Sequence, residues 1–414
     1  MRLGVLGSGA REHALQWHLQ QSPYAEKVYA LPGNGGTDLN IAVDVFDFDA
    51  IAKACEDHAI DLLVVGPEGP LAAGIVDAFA DHPTQLFGPS QSAARLESSK
   101  IWSKAFMERQ GIPTANYALV DTLQAFAAFA SQHGNRAVLK ADGLASGKGV
   151  AVCRDCTEVA SEWARITSLR PDGERFLAEE LIDGWELSIH ILTDGSSWCL
   201  FPSSQDHKSL LNGDLGPNTG GMGAFSPVRA CTDTLLQQIS KDVIQPTLDG
   251  LAHESIPYCG FLYFGLMITE KGPVVIEYNV RLGDPETQVL LPTLTSDLVP
   301  ALLDCMRGTL APDAITIGNQ HVVDIVLASP GYPSAPIVGQ PIDGLSAASE
   351  SALVFHGGTL KQDGVLLTSG GRVLSVVGQA DSLKEARESA YTACRHIRFP
   401  GMQLRTDIGQ RTQS

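Results

Sequence analysis

The hydrophobic rhythm of the chain changes twice. Up to about residue 100, short apolar runs of strand length alternate with segments of helical spacing. Strands are expected at 3–6, 27–31, 61–65 and 85–87, and helices at 11–21 and 71–80. Each strand runs into glycine or proline: GSGAREH, PGNGG, GPEGP, GPS. Ligands of open α/β sheets bind at the carboxyl ends of strands, where such turns lie, so this part reads as a doubly wound α/β module. After a helix at 98–109 and a GIP turn at 111–113, short strands and hairpins take over. These are AVLK, VAVC, a helix at 157–167, FLAEELI, and WELSIHILTDGSSWCLF with Asp194-Gly195 as its turn. A longer helix at 234–253 precedes the strands FLYFGLMIT and PVVIEYNV. From His321 the pattern is strand-rich and glycine-punctuated, with one late helix at 382–397. The AFAAFA run at 125–130 reads as a buried helix face, and no internal repeat is evident.

Composition narrows the class. A chain of 414 residues, 44% hydrophobic and 18% charged, is a soluble protein of several domains. A net charge of -18 excludes nucleic acid as the partner, because that binding needs clustered Lys and Arg. Small phosphorylated ligands need only a few local cations and backbone N–H groups. Eight irregularly spaced cysteines suit reduced thiols; Cys153 and Cys156 form a C-x-x-C, but no second pair stands at zinc-site spacing. The opening MRLGVLGSGA lacks the parts of a signal peptide, and no apolar run spans a membrane, so a cytoplasmic location is expected.

Four segments carry candidate chemistry. KADGLASGKGV, residues 140–150, is rich in glycine and lysine, yet it fails the P-loop template twice: Asp142 stands where glycine is required, and Gly149 follows Lys148. Its flanks have strand composition, so it is either a flap laying N–H groups and Lys148 over phosphates or a plain glycine-rich hairpin. VVIEYNVRLGDPET, residues 274–287, alternates so that Val275, Glu277, Asn279 and Arg281 share one face. A carboxylate and an amide oxygen two residues apart suit Mg²⁺, and Arg281 could neutralise a transferring phosphoryl group. A solvated strand face with a local ion pair is the alternative, although the polar turn with Asp284, Glu286 and Thr287 exceeds what a strand end needs. Residues 203–222 have little to build a core; Asp206, His207, Lys208, Asn218 and Thr219 make this a functional segment, with disorder as the competing reading. In FLAEELIDGWELS, Glu179 and Glu180 could meet an adenine edge and Glu186 a ribose. Gly7 and Gly9 begin a dinucleotide fingerprint, but Glu12 occupies its third glycine position, so nicotinamide binding is the minority reading.

With these pieces in view, the chain resembles the glycinamide ribonucleotide synthetase family of ATP-grasp ligases over nearly its whole length. The resemblance rests on G-x-G-x-REHA, PGNGGT, VGPEGPL, FGPS, KADGLASGKGV, SQDHK, GPNTGGMGAFSP, IEYNVRLGDPETQ, FHGGT, GGRVL and DIG. It implies an α/β domain at 1–102, an ATP-grasp domain at 103–318 with a mobile lid at about 115–187, and a mainly-β domain at 319–414. It implies ATP and Mg²⁺ or Mn²⁺, with glycine and 5-phosphoribosylamine as small-molecule substrates, no nucleic acid or membrane partner, and a monomer or weak homodimer. Phosphate contacts are implied for Lys100 and Lys140, with Gly143, Ser146, Gly147, Lys148 and Gly149 in the cover. Glu179, Glu180 and Glu186 would hold the nucleoside, and Glu277 and Asn279 the metal. Arg281, Lys140 and Lys148 would serve catalysis. The substrate side would comprise Gly9, Arg11, Glu12, Gly33, Asn34, Pro67, Glu68, Asp206, His207, Lys208, Asn218, Thr219, Gly220, Gly221, Arg281, Gly283, Asp284 and Thr287. Three departures stand out: Trp185 where the family usually has an acid, SLLNGDL after SQDHK, and GSGAREHA where GNGGREHA is frequent. Other ATP-grasp ligases or carboxylases, and an NAD(P)-dependent oxidoreductase, are the alternative activities.

Overall fold

A parallel sheet forms first, ordered Lys27–Pro32, Arg2–Gly7, Leu62–Val65, Gln85–Phe87, in a computed structural model that describes residues 1–144, 149–168 and 175–410. The chain leaves Arg2–Gly7 toward one neighbour and returns on the other side. The turns after Arg2–Gly7 and Leu62–Val65 therefore flank the switch point, where such sheets bind ligands. Two helical expectations here need correction. The helix expected at 71–80 is two short ones, Glu68–Ala72 and Ile75–Ala78, because Gly74 adopts a left-handed φ of 87° that ends one and starts the other. An unexpected helix, Phe48–His58, starts where the Asp47 carboxylate accepts the Ala50 N–H, and it buries Ile51, Ala54 and Cys55.

The helix expected at 98–109 is present as Lys100–Gln110, and a further helix, Gln91–Ser98, precedes it. The two are separated at Ser99, whose extended backbone (φ -135°, ψ 106°) breaks the first, while its hydroxyl accepts the Trp102 N–H to cap the second. An antiparallel sheet follows, ordered Tyr117–Val120, Phe176–Glu179, Ala137–Ala141, Val150–Cys153. The helices Leu123–Gln132 and Val159–Thr167 cover it and share a separate core, in which Phe126, Phe129 and Ala130 bear out the buried face read from AFAAFA.

Opposite lies a second antiparallel sheet, Trp198–Leu200, Trp185–Thr193, Gly260–Thr269, Gly272–Asn279. The turn joining its first two strands covers residues 194–197 rather than Asp194-Gly195 alone; the Asp194 carboxylate accepts the N–H groups of Ser196 and Ser197. The helix expected at 234–253 runs as Asp233–Ile239, a wider turn at Ser240–Ile244, and Gln245–His253. Pro246 explains the widening, since proline has no N–H to donate and its ring clashes with the carbonyl four residues back. The last sheet, Gln205–Asp206, Gly223–Ser226, His321–Ala328, Arg372–Ala380, Leu353–His356, is covered by the helix Leu383–Cys394.

The first and last units meet at two histidines. The His356 N–H donates to His13 Nδ1 at 2.8 Å, and the rings lie 5.5 Å apart. Burial lowers the pKa of His13 to about 3, helped by His356, and burial lowers that of His356 to about 4. An unfolded chain takes up these protons near pH 6.5, whereas the folded one resists them. The contribution to stability is therefore complete above about pH 6.5 and declines as the pH falls toward the folded values. Urea midpoints should drop between about pH 7.5 and pH 5, and the drop should be smaller in His13→Asn.

Candidate active site

A cavity of about 510 Å³ opens between the two antiparallel sheets. One wall carries Val138, Lys140, Val150, Val152 and Glu179, and the facing wall carries Tyr263, Met267 and residues 276–279. The strands Ala137–Ala141 and Val150–Cys153 pair antiparallel, with the Ala141 N–H donating to the Gly149 carbonyl at 2.8 Å. Asp142, just after the first of these strands, is fixed by the helix break at Ser99. The Asp142 carboxylate accepts the Ile101 N–H (3.1 Å) and the Ser99 hydroxyl (3.1 Å), which places it at the start of the helix Lys100–Gln110. Lys100 Nζ donates to the Gly143 carbonyl at 2.8 Å. Ser146, Gly147 and Lys148 lie outside the described residues.

Lys140 crosses the cleft. Its Nζ lies 2.9 Å from Glu179 Oε1 on its own sheet and donates to the Ile276 carbonyl of the facing sheet at 3.0 Å. That carbonyl is available because the facing strand bulges: Gly265 pairs with Glu277 and Leu266 with Val275, so Ile276 is an extra residue. The bulge also corrects the simple alternation, since Val275 packs into the core together with Tyr278, while Glu277 and Asn279 line the cavity. Glu179 is shared by a second lysine: Lys104 Nζ lies 3.4 Å from Oε2 and donates to Thr114 Oγ1 at 2.6 Å. Burial lowers the Lys104 pKa to about 8 against the pull of Glu179, and it lowers that of Lys100 beside Lys140. The Glu179 carboxylate is thus committed to lysines, while Glu180 accepts the Asn116 amide at 2.7 Å.

Acids gather around one cation at the next part of the cavity. Lys208 Nζ lies 3.3 Å from Glu277 and 3.4 Å from Glu186, with Asp206 and Glu286 near enough to feel it. Lys208 holds the Glu277 pKa down at about 2. Burial raises those of Asp206 and Glu286, and Lys208 lowers them only in part. This surplus of negative charge around a single lysine fits a divalent cation. Among the described residues no three His, Cys, Asp or Glu side chains converge on one point, but Mg²⁺ takes few protein ligands and completes its shell with water and phosphate oxygens. Asn279 fits as the partner of Glu277: one end of its amide faces acceptors, and the orientation that satisfies them has the NH₂ donating to Glu97 Oε1 (2.9 Å) and to the Tyr278 carbonyl (3.0 Å), with the oxygen turned to the opposite side.

Arg281 is pinned by two acids, Glu97 at 2.7 Å and Glu68 at 3.2 Å. Burial raises the Glu97 pKa to about 7 although Arg281 opposes it; in Glu68 burial is overcome by Arg281 and Arg11, and the pKa falls to about 2. The turn after Arg281 is held by a buried histidine. The Gly283 N–H donates to His190 Nε2 at 3.1 Å, which requires the neutral ring, and burial lowers the His190 pKa to about 3.

A second cavity, about 690 Å³, lies at the switch point of the first sheet against the last one. Gly9, Gly33, Asn34 and Asp284 line it with Gly357, Lys361 and Arg372. The remaining substrate-side expectations divide between the two walls and the scaffold. Arg11, Glu68, Asp206, Lys208, Asn218, Thr219, Gly220, Arg281, Gly283 and Asp284 line the first cavity. Glu12, Pro67, His207, Gly221 and Thr287 line neither. Glu12 accepts the Gly9 N–H and pairs with Arg11, Thr287 bonds the Gly283 carbonyl, and the His207 ring packs against Phe225. The SLLNGDL stretch forms a hairpin, Ser209–Leu211 with Leu215–Asn218, anchored by buried Arg405 on Asp214, Asp407 and the Ser209 carbonyl. Trp185 packs against the core, so Glu186 alone of that pair reaches the cavity. Lys104, Glu97 and Arg372 escaped the sequence reading; the first two stand four after and three before Lys100.

Comparison with known proteins gives one picture. Residues 1–97 match the family model of the phosphoribosylglycinamide synthetase N domain, 98–287 its ATP-grasp (A) domain and 322–411 its C domain. The chain is 44% identical over 418 residues to the phosphoribosylamine–glycine ligase of Ralstonia nicotianae, covering 99% of each. It is 44% identical over 421 residues to the trifunctional purine biosynthetic protein adenosine-3 of Gallus gallus, covering 42% of that longer protein. The crystal structure of the phosphoribosylamine–glycine ligase of Thermotoga maritima is similar at 34% identity with a TM-score of 0.84, covering 99% of this chain and 100% of that one.

Proposed function

Since the chain belongs to the phosphoribosylglycinamide synthetase family, we propose that it joins glycine to 5-phosphoribosylamine at the expense of ATP. The products are glycinamide ribonucleotide, ADP and phosphate, formed through glycyl phosphate in purine biosynthesis. The observation that carries this reading is the convergence of Lys100, Lys140 and Arg281 with Glu277 and Asn279 in one cleft between two sheets. Apolar Val138, Val152 and Met267 suit an adenine ring, and the chain from Glu180 to Ile182 suits its edge.

Glycine's carboxylate must approach the γ-phosphate, anion against anion. Lys100, Lys140 and Arg281 offset that repulsion and the charge spread over the transferring oxygens. Mg²⁺ or Mn²⁺, held by Glu277 and Asn279, would add positive charge at the phosphate oxygens. Glycyl phosphate hydrolyses readily, so the walls of the cleft serve to exclude water. The amine of phosphoribosylamine, seated in the second cavity by Gly9, Gly33 and Asn34, then attacks the acyl carbon. Positioning and electrostatics suffice, and no side chain need act as a nucleophile. The test is phosphate release by purified protein with ATP and Mg²⁺. Release should require glycine and phosphoribosylamine together; release with another carboxylic acid in place of glycine would redirect the reading to a different ATP-grasp ligase.

A further inference from the structure

The two cavities have Asp284 and Arg372 in common on their walls. The pair stands where the contents of one meet the contents of the other. Arg372, from the C-terminal sheet, donates through Nη1 to the carbonyls of Gly220 (2.6 Å) and Asp284 (2.7 Å), and its Nη2 lies 2.9 Å from Asp284 Oδ2. On the other side, the buried Gln288 donates through Nε2 to Asp284 Oδ1 at 2.8 Å. Among the described residues each carboxylate oxygen therefore has one side-chain partner, and the group is held from both flanks. Gly9 stands beside the group: a Cβ built there would lie 3.6 Å from Asp284 Oδ2, in ordinary contact.

We propose that Asp284 is the general base of the second half-reaction, taking the proton from the amine nitrogen as it attacks the acyl carbon, with Arg372 and Gln288 as its positioning residues. The inference rests on the ligase reading above. In the step, the N–C bond forms and the C–O bond to phosphate breaks, its electron pair leaving on the phosphate oxygen. The proton lost by nitrogen passes to the Asp284 carboxylate and then to solvent. Nearby acids are placed differently. Glu68, Glu97, Asp206 and Glu286 line only the first cavity, and Glu12 lines neither, whereas Asp284 lines both.

The half-reactions can be separated with hydroxylamine, a small nucleophile that traps glycyl phosphate as glycine hydroxamate. In Asp284→Asn, hydroxamate formation from ATP and glycine should persist, while amide formation with phosphoribosylamine falls by about 10²–10⁴-fold, the usual worth of a general base. Persistent hydroxamate also reports that the variant is folded. An equal fall in both rates would assign Asp284 a structural role and overturn the proposal, as would undiminished amide formation. Should Asp284→Asn not fold, Asp284→Glu keeps the charge for Arg372 but displaces the base; its ratio of amide to hydroxamate should fall, and an unchanged ratio overturns the proposal. Wild-type protein making neither hydroxamate nor amide would sink the ligase reading, and this inference with it; amide without any hydroxamate would overturn this inference alone, because no separable second step would remain.

Discussion

Lys140→Met should lower kcat/KM for ATP-dependent ligation by about 10³-fold while the protein remains folded. The side chain is held between the Glu179 carboxylate and the Ile276 carbonyl, so its charge is fixed at the centre of the cleft. A preorganised cation of this kind acts on charge that develops in transit, and no solvent molecule can take its place with equal rigidity. The loss should appear mainly in kcat, because on the proposed reading the nucleoside is bound by the apolar walls and the chain from Glu180 to Ile182, which the substitution leaves in place. Folding should survive because Lys104, 3.4 Å away, still compensates buried Glu179. Steady-state kinetics alongside thermal unfolding check both halves. A Lys140→Met enzyme with near wild-type kcat would remove Lys140 from the phosphoryl transfer.

The cleft was legible in part because its residues sit at short spacings that local geometry can interpret. Glu277 and Asn279, two apart on a strand, do share a wall. Arg281 joins them from just beyond the strand. The bulge at Ile276 was not legible, since it is imposed by pairing with Gly265 and Leu266, a partner the strand's own sequence does not name. The shared Glu179 was hidden for a similar reason. Its partners are Lys104, from a helix far earlier in the chain, and Lys140, from the strand beside it, and only the folded sheet brings all three together. Arg372 is the extreme case: it lies in GGRVL, a motif counted toward the family, yet its guanidinium acts on a turn 88 residues earlier.

In the fold, the parallel strands announced themselves through turn chemistry, as every one runs into glycine or proline. The helix Phe48–His58 did not, although Asp47 as cap and the apolar spacing of Ile51, Ala54 and Cys55 were available signals. The division at Gly74 depends on a left-handed backbone that glycine permits but does not require. The segment at 203–222 reads as functional rather than as core from its polarity. Its hairpin depends on Arg405, almost two hundred residues downstream, so no local pattern could have supplied it.

Arg281→Met should destabilise the protein by about 3–5 kcal/mol, the usual consequence of removing one partner from a buried ion pair. Arg281 lies between Glu68 and Glu97, and the three side chains are largely shielded from water. Methionine fills a similar volume but leaves both carboxylates without their nearest cation; Arg11, 3.8 Å from Glu68, compensates only that one. Glu97 should respond most, because burial already raises its pKa to about 7 with the arginine present. Loss of Arg281 drives it higher still. A carboxyl whose folded pKa exceeds its unfolded value near 4.5 stabilises the fold below that value, and the contribution is lost as the pH rises through the folded pKa. The difference in stability between Arg281→Met and wild type should therefore shrink between about pH 8 and pH 5, although both proteins lose stability over that range to their buried histidines. Adding Glu97→Gln to Arg281→Met should recover part of the loss at pH 8 and flatten the dependence, since the amide can still accept the Val280 N–H without carrying charge. Urea titrations of the wild type, the single variants and the double variant at both pH values measure the coupling directly. A double variant no more stable than Arg281→Met at pH 8 would mean that the arginine stabilises through packing, and that the charge on Glu97 is not what it offsets.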